Sequence, residues 1–82
     1  MQVTIKYFAS IREAVGHASE QRETAANTLA GLREELLGIA DSYACLGRSR
    51  AVRVALNQVM SDEAALLTEG CEVAFFPPVT GG

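Results

Sequence analysis

Two strand patterns near the ends of the chain, with one amphipathic helix between them, limit the folds open to these 82 residues. Val3, Ile5 and Tyr7 alternate with other side chains, which is typical of a strand with one apolar face. Val73 and Phe75 share one face of a second such strand. Since a chain of this length has room for a single core, we expect both strands in the same sheet.

The main helix is predicted to begin after Asn27 or Thr28, because either residue suits the N-cap position. One apolar stripe at helical spacing follows, and Arg33 is predicted on the solvent side with Glu34 and Glu35. The stripe consists of Leu29, Leu32, Leu36, Ile39 or Ala40, and Tyr43. The sequence therefore predicts one long helix that buries a single face.

The remaining elements are shorter. Ser10 and Glu13 match a capping box, which predicts a short helix that ends at Gly16. The polar stretch 17–24 predicts at most a weak edge strand.

The second half of the chain predicts three further features before its last strand. A strand over 51–56 leads through a turn at Asn57-Gln58 into a short strand at Val59-Met60. Leu66-Leu67 is predicted to fill the core, and the last strand covers 71–76.

We infer an α+β fold in which the first and last strands pair in parallel at the centre of the sheet, with the main helix packed across them. The opposite sheet face is then left without a covering helix. It would hold Tyr7 or Phe8, together with Ala74 and Phe76. An exposed apolar patch of this kind marks a partner interface, and Phe76 is its predicted docking residue.

The sequence ends in Gly81-Gly82 after Pro77-Pro78, and we expect a free carboxylate on a backbone without side chains. Such a tail can enter a slot too narrow for other residues, while the prolines keep its approach extended. Fully extended, 77–82 would project roughly 20 Å. We therefore predict a folded domain over 1–76 and an extended tail over 77–82 that serves as a chemical handle.

Composition excludes several classes of function. Seven basic residues against ten acidic ones give a net charge of −3, which argues against a nucleic-acid-binding protein. Arg48, Arg50 and Arg53 form a local cluster that either meets an acidic partner or is a solvated surface. No apolar run is long enough to span a membrane and no signal peptide is evident, so we expect a cytoplasmic protein.

The sequence does not predict a catalytic or metal-binding site built from residues of this chain alone. Cys45, Cys71 and the single histidine, His17, lack the spacing of a zinc site, and no metal is expected. The two cysteines are interpreted as small, partly buried residues, with a persulfide role as the alternative. No nucleophile and base occur as a set, so catalysis is expected to use residues of another chain.

Several segments together resemble the small, sulfur-carrying subunits of molybdopterin synthases, a branch of the ubiquitin-like β-grasp superfamily. The resemblance spans the whole chain. Two features depart from it: Cys71, where the family often has aspartate, and the loosely fitting stretch 21–28. The matching segments are Phe8-Ala9, Arg12-Glu13, Gly16, Leu56-Asn57-Gln58, Leu67-Thr68-Glu69-Gly70 and the run from Glu72 to Gly82.

The resemblance implies a β-grasp fold, with a mixed sheet of about four to five strands on one main helix. It also implies that a ubiquitin-activating-type adenylyltransferase uses ATP to activate the carboxylate of Gly82. A thiocarboxylate then forms and donates sulfur to cyclic pyranopterin monophosphate. That reaction would take place in the active site of a large synthase subunit, in a complex of two copies of each subunit. The chain itself would bind no cofactor, and whether it counts as an enzyme stays open.

The same resemblance implies roles for individual residues. Gly82 would carry the chemistry, and the residues before it would thread into the large subunit. The threading residues are Gly81, Thr80, Val79, Pro78 and Pro77, and the predicted partner contacts are Phe76, Phe8 and Arg53.

Three alternative functions are compatible with a chain of this kind. A sulfur carrier for thiazole formation in thiamine synthesis uses the same fold and diglycine, but usually lacks the two prolines. A protein modifier would join targets through Gly82, although Lys6, the only lysine, makes chain-building unfavourable. The last alternative is a binding module in which the diglycine is incidental.

Overall fold

One five-stranded mixed sheet with helices on one face forms the framework of the protein. The computed structural model describes residues 1–46 and 52–77. Its strand order is β2-β1-β5-β3-β4. The elements are β1 (Gln2–Tyr7), α1 (Ala9–Val15), β2 (Ser19–Glu23), α2 (Leu29–Leu37), a 3₁₀ helix (Asp41–Leu46), β3 (Arg53–Leu56), β4 (Val59–Ser61) and β5 (Glu72–Phe76).

The first and last strands lie side by side at the centre of the sheet, as predicted. β1 and β5 run parallel, with Ile5 opposite Val73 and Tyr7 opposite Phe75. The other strand pairs are antiparallel, and the short strands β2 and β4 lie at the two edges. The α+β fold predicted from the sequence is therefore confirmed, and β5 ends in the middle of the sheet.

The core lies between one sheet face and α2. Complete burial of a large apolar side chain contributes about 1.5–3 kcal/mol to the free energy of unfolding, so a small set of such residues dominates the stability of the domain. The largest fully buried side chains are Tyr7, Phe75, Ile5, Leu29, Leu32, Leu36, Leu46, Val3 and Val73.

The main helix begins where predicted but ends earlier. The Thr28 hydroxyl accepts a hydrogen bond of 3.1 Å from the Gly31 N–H, which confirms Thr28 as the N-cap. α2 ends at Leu37, and the Ile39 N–H bonds to the Leu36 carbonyl, which tightens the chain beyond Gly38. Ile39 is consequently exposed, and Tyr43 reaches the core from the 3₁₀ helix instead.

The predicted capping box at the first helix is wrong. α1 begins at Ala9, so Ser10 lies inside the first turn, and the N-cap residue Phe8 makes no side-chain cap. The Phe8 N–H still donates to the Phe75 carbonyl at 3.1 Å, so pairing with β5 continues until the helix starts. The predicted end is confirmed, since Gly16 takes the left-handed conformation with φ 99°.

Two other side chains are placed differently from the prediction. Arg33 is buried, with 6% exposed, and forms an ion pair with Glu63, so it links α2 to the segment after β4. Leu67 fills the core as predicted, but Leu66 is exposed. Periodicity misplaced Arg33 because the loop that covers it arrives from a distant part of the chain.

The predicted weak edge strand forms as β2, and polar contacts hold it to the 3₁₀ helix. The Glu20 carboxylate accepts a 2.7 Å hydrogen bond from the Tyr43 hydroxyl and lies 2.5 Å from His17 Nε2. Burial alone would raise the pKa of Glu20, but the hydrogen bonds from His17 and Tyr43 and the charge of Arg22 outweigh it. The pKa of Glu20 is therefore lowered from its usual value of 4.5.

We expect Glu20→Gln to destabilise the protein by about 1–2 kcal/mol at neutral pH, because it removes a charged hydrogen-bond acceptor. A lowered folded-state pKa gives stability that is complete above the usual value of 4.5 and is lost as the pH falls through the folded value. Urea unfolding of both proteins across this range checks the prediction, with Tyr43→Phe as a control that keeps the carboxylate. A difference in stability that stays constant down to acidic pH would contradict it.

Candidate functional site

The sheet face opposite the core carries an aromatic pair. The rings of Phe8 and Phe76 meet edge to face, with centroids 6.2 Å apart and planes at 83°. Phe8 is 46% exposed and Phe76 is half-buried. The structure also decides between Tyr7 and Phe8, because Tyr7 is buried in the core. Two residues predicted as partner contacts from distant parts of the sequence are thus brought together.

Small and flexible apolar side chains extend this surface across the sheet. Ala55 of β3 lies opposite both Ala74 of β5 and Met60 of β4, so all three share the open face. Met60 is 53% exposed. We use the name apolar patch for the exposed Phe8 and Met60, the half-buried Phe76, and the buried Ala55 and Ala74, which are 6% and 7% exposed. The short strand at Val59-Met60 was predicted, but Met60 was not predicted as a contact residue, because local patterns do not show which strand β4 pairs with.

Charged residues border the apolar patch. Arg53 lies opposite Phe76 in the β3–β5 pair and is exposed. Lys6 lies opposite Ala74 and forms a 3.3 Å ion pair with Glu72. The face therefore combines an apolar centre with a polar rim, which is the composition of a protein–protein interface.

The tail begins beside the apolar patch. β5 ends at Phe76, and Pro77 follows directly at a half-buried position. The predicted tail residues 78–82 lie outside the described residues, as do Arg48 and Arg50 of the predicted basic cluster. The described part of the chain thus places the start of the tail next to the aromatic pair.

The described residues offer a contact surface rather than a catalytic set. Within 1–46 and 52–77, no three metal-ligating side chains lie together. Cys71 is buried and Cys45 is half-buried, and neither forms a disulfide. No helix in the described part of the chain is long and apolar enough to cross a bilayer.

Comparisons with known proteins agree with this architecture. The molybdopterin synthase sulfur carrier subunit of Escherichia coli is 38% identical over 82 residues, covering 98% of this chain and 99% of the relative. The subunit of the same name from Haemophilus influenzae is 35% identical, covering 98% and 99%.

A solved structure and a family model extend the comparison. A chain in the complex of subunits 1 and 2 of the Helicobacter pylori molybdopterin-converting factor is 25% identical, with a TM-score of 0.69 and full coverage of both chains. The model of the ThiS family matches residues 5–82, a span that includes the diglycine. The strand order, the tail that follows a central strand and these similarities lead to one conclusion: the chain belongs to the ThiS family.

Proposed function

We propose that this protein is the sulfur carrier subunit of a molybdopterin synthase and that Gly82 carries the sulfur. The observation that supports this most strongly is the position of the tail. It continues from a central strand, beside an apolar patch, in a chain that is 38% identical to a sulfur carrier subunit over nearly its whole length. The tail can then project from a rigid base while the patch holds a partner.

The chemistry begins with activation, because a carboxylate is a poor electrophile. The Gly82 carboxylate attacks the α-phosphate of ATP on an adenylyltransferase partner, which forms an acyl adenylate and releases pyrophosphate. A persulfide sulfur displaces AMP from the acyl carbon, and a thiol then cleaves the S–S bond by exchange. The product is a thiocarboxylate at Gly82. Because ATP is required, we propose that the protein acts in the cytoplasm.

Sulfur transfer follows in the large subunit. The thiocarboxylate sulfur attacks a carbon of cyclic pyranopterin monophosphate, where a carbon–sulfur bond forms as a carbon–oxygen bond of the substrate breaks and the oxygen leaves with the bonding electron pair. Water then hydrolyses the acyl–sulfur bond, which returns the Gly82 carboxylate for another cycle. Gly81 and Gly82 suit a narrow channel because they have no side chains, and Pro77 and Pro78 favour an extended approach. The groups that bind the substrate phosphate would belong to the large subunit, since 77–82 contains no basic residue.

The apolar patch is the proposed docking surface for the large subunit. The patch adjoins the start of the tail, so docking here would aim the tail into the partner. The Helicobacter pylori structure is a complex of subunits 1 and 2 of a molybdopterin-converting factor, which supports a partner of this kind. Buried aromatic residues contribute most of the binding energy in many interfaces, and Phe8 and Phe76 fit that role.

Charging of Gly82 tests the proposal. We expect incubation with the adenylyltransferase, ATP and a persulfide donor to replace one oxygen by sulfur at Gly82. Cleavage after Glu72 releases the peptide 73–82, which contains neither methionine nor cysteine, so oxidation of sulfur cannot mimic the mass change. Mass spectrometry should find the change in this peptide only when ATP is present. An unmodified peptide, with an adenylyltransferase active on another carrier, would refute the sulfur-carrier role.

A further inference from the structure

Two basic side chains of the described residues take part in no ion pair. Three of the five described lysine and arginine residues form ion pairs with carboxylates. Arg12 and Arg53 form none with any described residue. The paired residues are Lys6 with Glu72, Arg22 with Glu20 and Glu35, and Arg33 with Glu63.

Arg53 lies at one end of the aromatic pair. It is directly opposite Phe76 in an antiparallel pair, so the two side chains leave the same face with Cβ atoms about 5 Å apart. Arg53 also lines a cleft of 480 Å³ that contains two acidic residues, Asp62 and Glu63. Both already have partners, because Glu63 pairs with Arg33 and Asp62 accepts the Ala64 N–H. Within 1–46 and 52–77, neither these two residues nor any other carboxylate forms an ion pair with the Arg53 guanidinium.

Arg12 lies at the other end of the pair. Its N–H donates to the Phe8 carbonyl at 3.3 Å, so Arg12 lies one helical turn beyond Phe8, in the last turn of the short helix α1. Arg12 is exposed. Glu13 follows it in the helix, but consecutive helical side chains diverge by about 100°, and no ion pair joins the two. Each member of the aromatic pair thus has a neighbouring basic residue without an ion pair among the described residues: Arg53 lies opposite Phe76, and Arg12 lies one helical turn after Phe8.

This placement contrasts with the charge of the whole chain, which is −3. Within the apolar patch region, the third cation, Lys6, is neutralised by Glu72. We infer that Arg12 and Arg53 are two electrostatic contact points of the docking surface, and that the large subunit presents a carboxylate to each, on either side of an apolar pocket for Phe8 and Phe76. This inference rests on the proposed function and specifies the chemistry of the partner surface.

Two separated charges do more than attract a partner. Charges at the rim of an interface mainly accelerate association and suppress incorrect orientations, whereas the apolar centre controls dissociation. Contacts on both sides of the aromatic pair fix the rotation of the carrier on its partner. That rotation decides where the tail points.

The test measures association of the full chain with the large subunit of the same organism at about 50 mM and about 500 mM salt. We expect Arg12→Gln and Arg53→Gln each to slow association about fivefold at low salt, and Arg53→Glu to slow it more than tenfold. The losses should largely disappear at high salt, and Arg53→Lys should retain most of the rate because it keeps the charge. Thermal unfolding verifies that each variant is folded.

A matched control separates local charge from net charge. Ala44→Glu makes the same change of −1 at an exposed position of the 3₁₀ helix, on the other side of the sheet, and should leave association unchanged. Equal slowing by Ala44→Glu, or normal association of both arginine variants at low salt, would overturn the inference while wild-type binding and charging of Gly82 still support the proposed function. Failure of the wild-type chain to bind the large subunit would instead count against the proposed function itself.

Discussion

Replacing Gly82 with alanine is expected to reduce sulfur transfer at least about a hundredfold, because a displacement of about 1 Å at a reacting group can have an effect of that size. Under the proposed function, the added methyl group would lie on the residue that carries the sulfur and would have to enter the channel of the large subunit. The measurement is single-turnover formation of the dithiolene product from cyclic pyranopterin monophosphate.

The control for this variant separates charging from transfer. A Gly82→Ala chain thiocarboxylated chemically bypasses the adenylyltransferase, so any remaining defect belongs to the transfer step. The folded domain should be unaffected, and thermal unfolding should match the wild type, because position 82 follows the last strand by six residues. Wild-type transfer by the chemically charged variant would show that the channel accepts a side chain, contrary to the proposed narrow slot.

Replacing Phe76 with alanine should weaken binding of the large subunit by about 2 kcal/mol, roughly thirtyfold. Truncation removes a ring that would enter the partner and also its edge-to-face contact with Phe8. Because the lost contact is apolar, the effect should appear mainly in the dissociation rate and should change little with salt. Isothermal titration calorimetry together with dissociation kinetics checks both points.

The matched control for Phe76 is Leu66→Ala. Leu66 is also a large apolar residue, is 69% exposed, and lies beside Thr28 at the start of α2, away from the open sheet face. The Leu66→Ala variant should bind the large subunit with the affinity of the wild type. Unchanged affinity for Phe76→Ala, in a variant that remains folded, would remove the apolar patch from the proposed interface.

The central part of the fold could be predicted because strong local patterns and chain length pointed to the same arrangement. Two good strands at distant positions and one core required pairing at the centre of the sheet, and the β1–β5 pair confirms it. The turn at Asn57-Gln58 was also predicted correctly, and both residues have positive φ, as such a turn requires.

The errors arose where contacts distant in sequence overrode local signals. Ser10 and Glu13 look like a capping box, but pairing of Phe8 with β5 sets the start of α1 two residues earlier, with Phe8 rather than Ser10 at the N-cap. The position of Arg33 on the polar side of the helical pattern predicts an exposed side chain. Its burial is explained only by the ion pair with Glu63, which lies 30 positions later in the sequence. Local patterns contain no information about such partners.

Only part of the candidate site could be predicted, because some of its contacts also join residues that are distant in sequence. Strand alternation and the neighbouring tail identified Phe76, and the β3–β5 register places Arg53 beside it. The choice between Tyr7 and Phe8 required knowing where β1 ends and α1 begins. Arg53 was a predicted partner contact, whereas Arg12 was not. That neither residue forms an ion pair with a carboxylate of the described residues depends on three-dimensional positions, so this property is visible only in the structure.

The central claim is that sulfur carried on Gly82 enters the dithiolene of molybdopterin, and isotope transfer tests it most directly. The chain is charged with isotopically labelled sulfur, freed of the donor, and mixed with the large subunit and cyclic pyranopterin monophosphate. We predict that label leaves the peptide 73–82 and appears in the product in equal amount, while Gly82 returns to a carboxylate. Label that remains on Gly82, or that moves to a different acceptor while a known carrier supports product formation, would contradict the account.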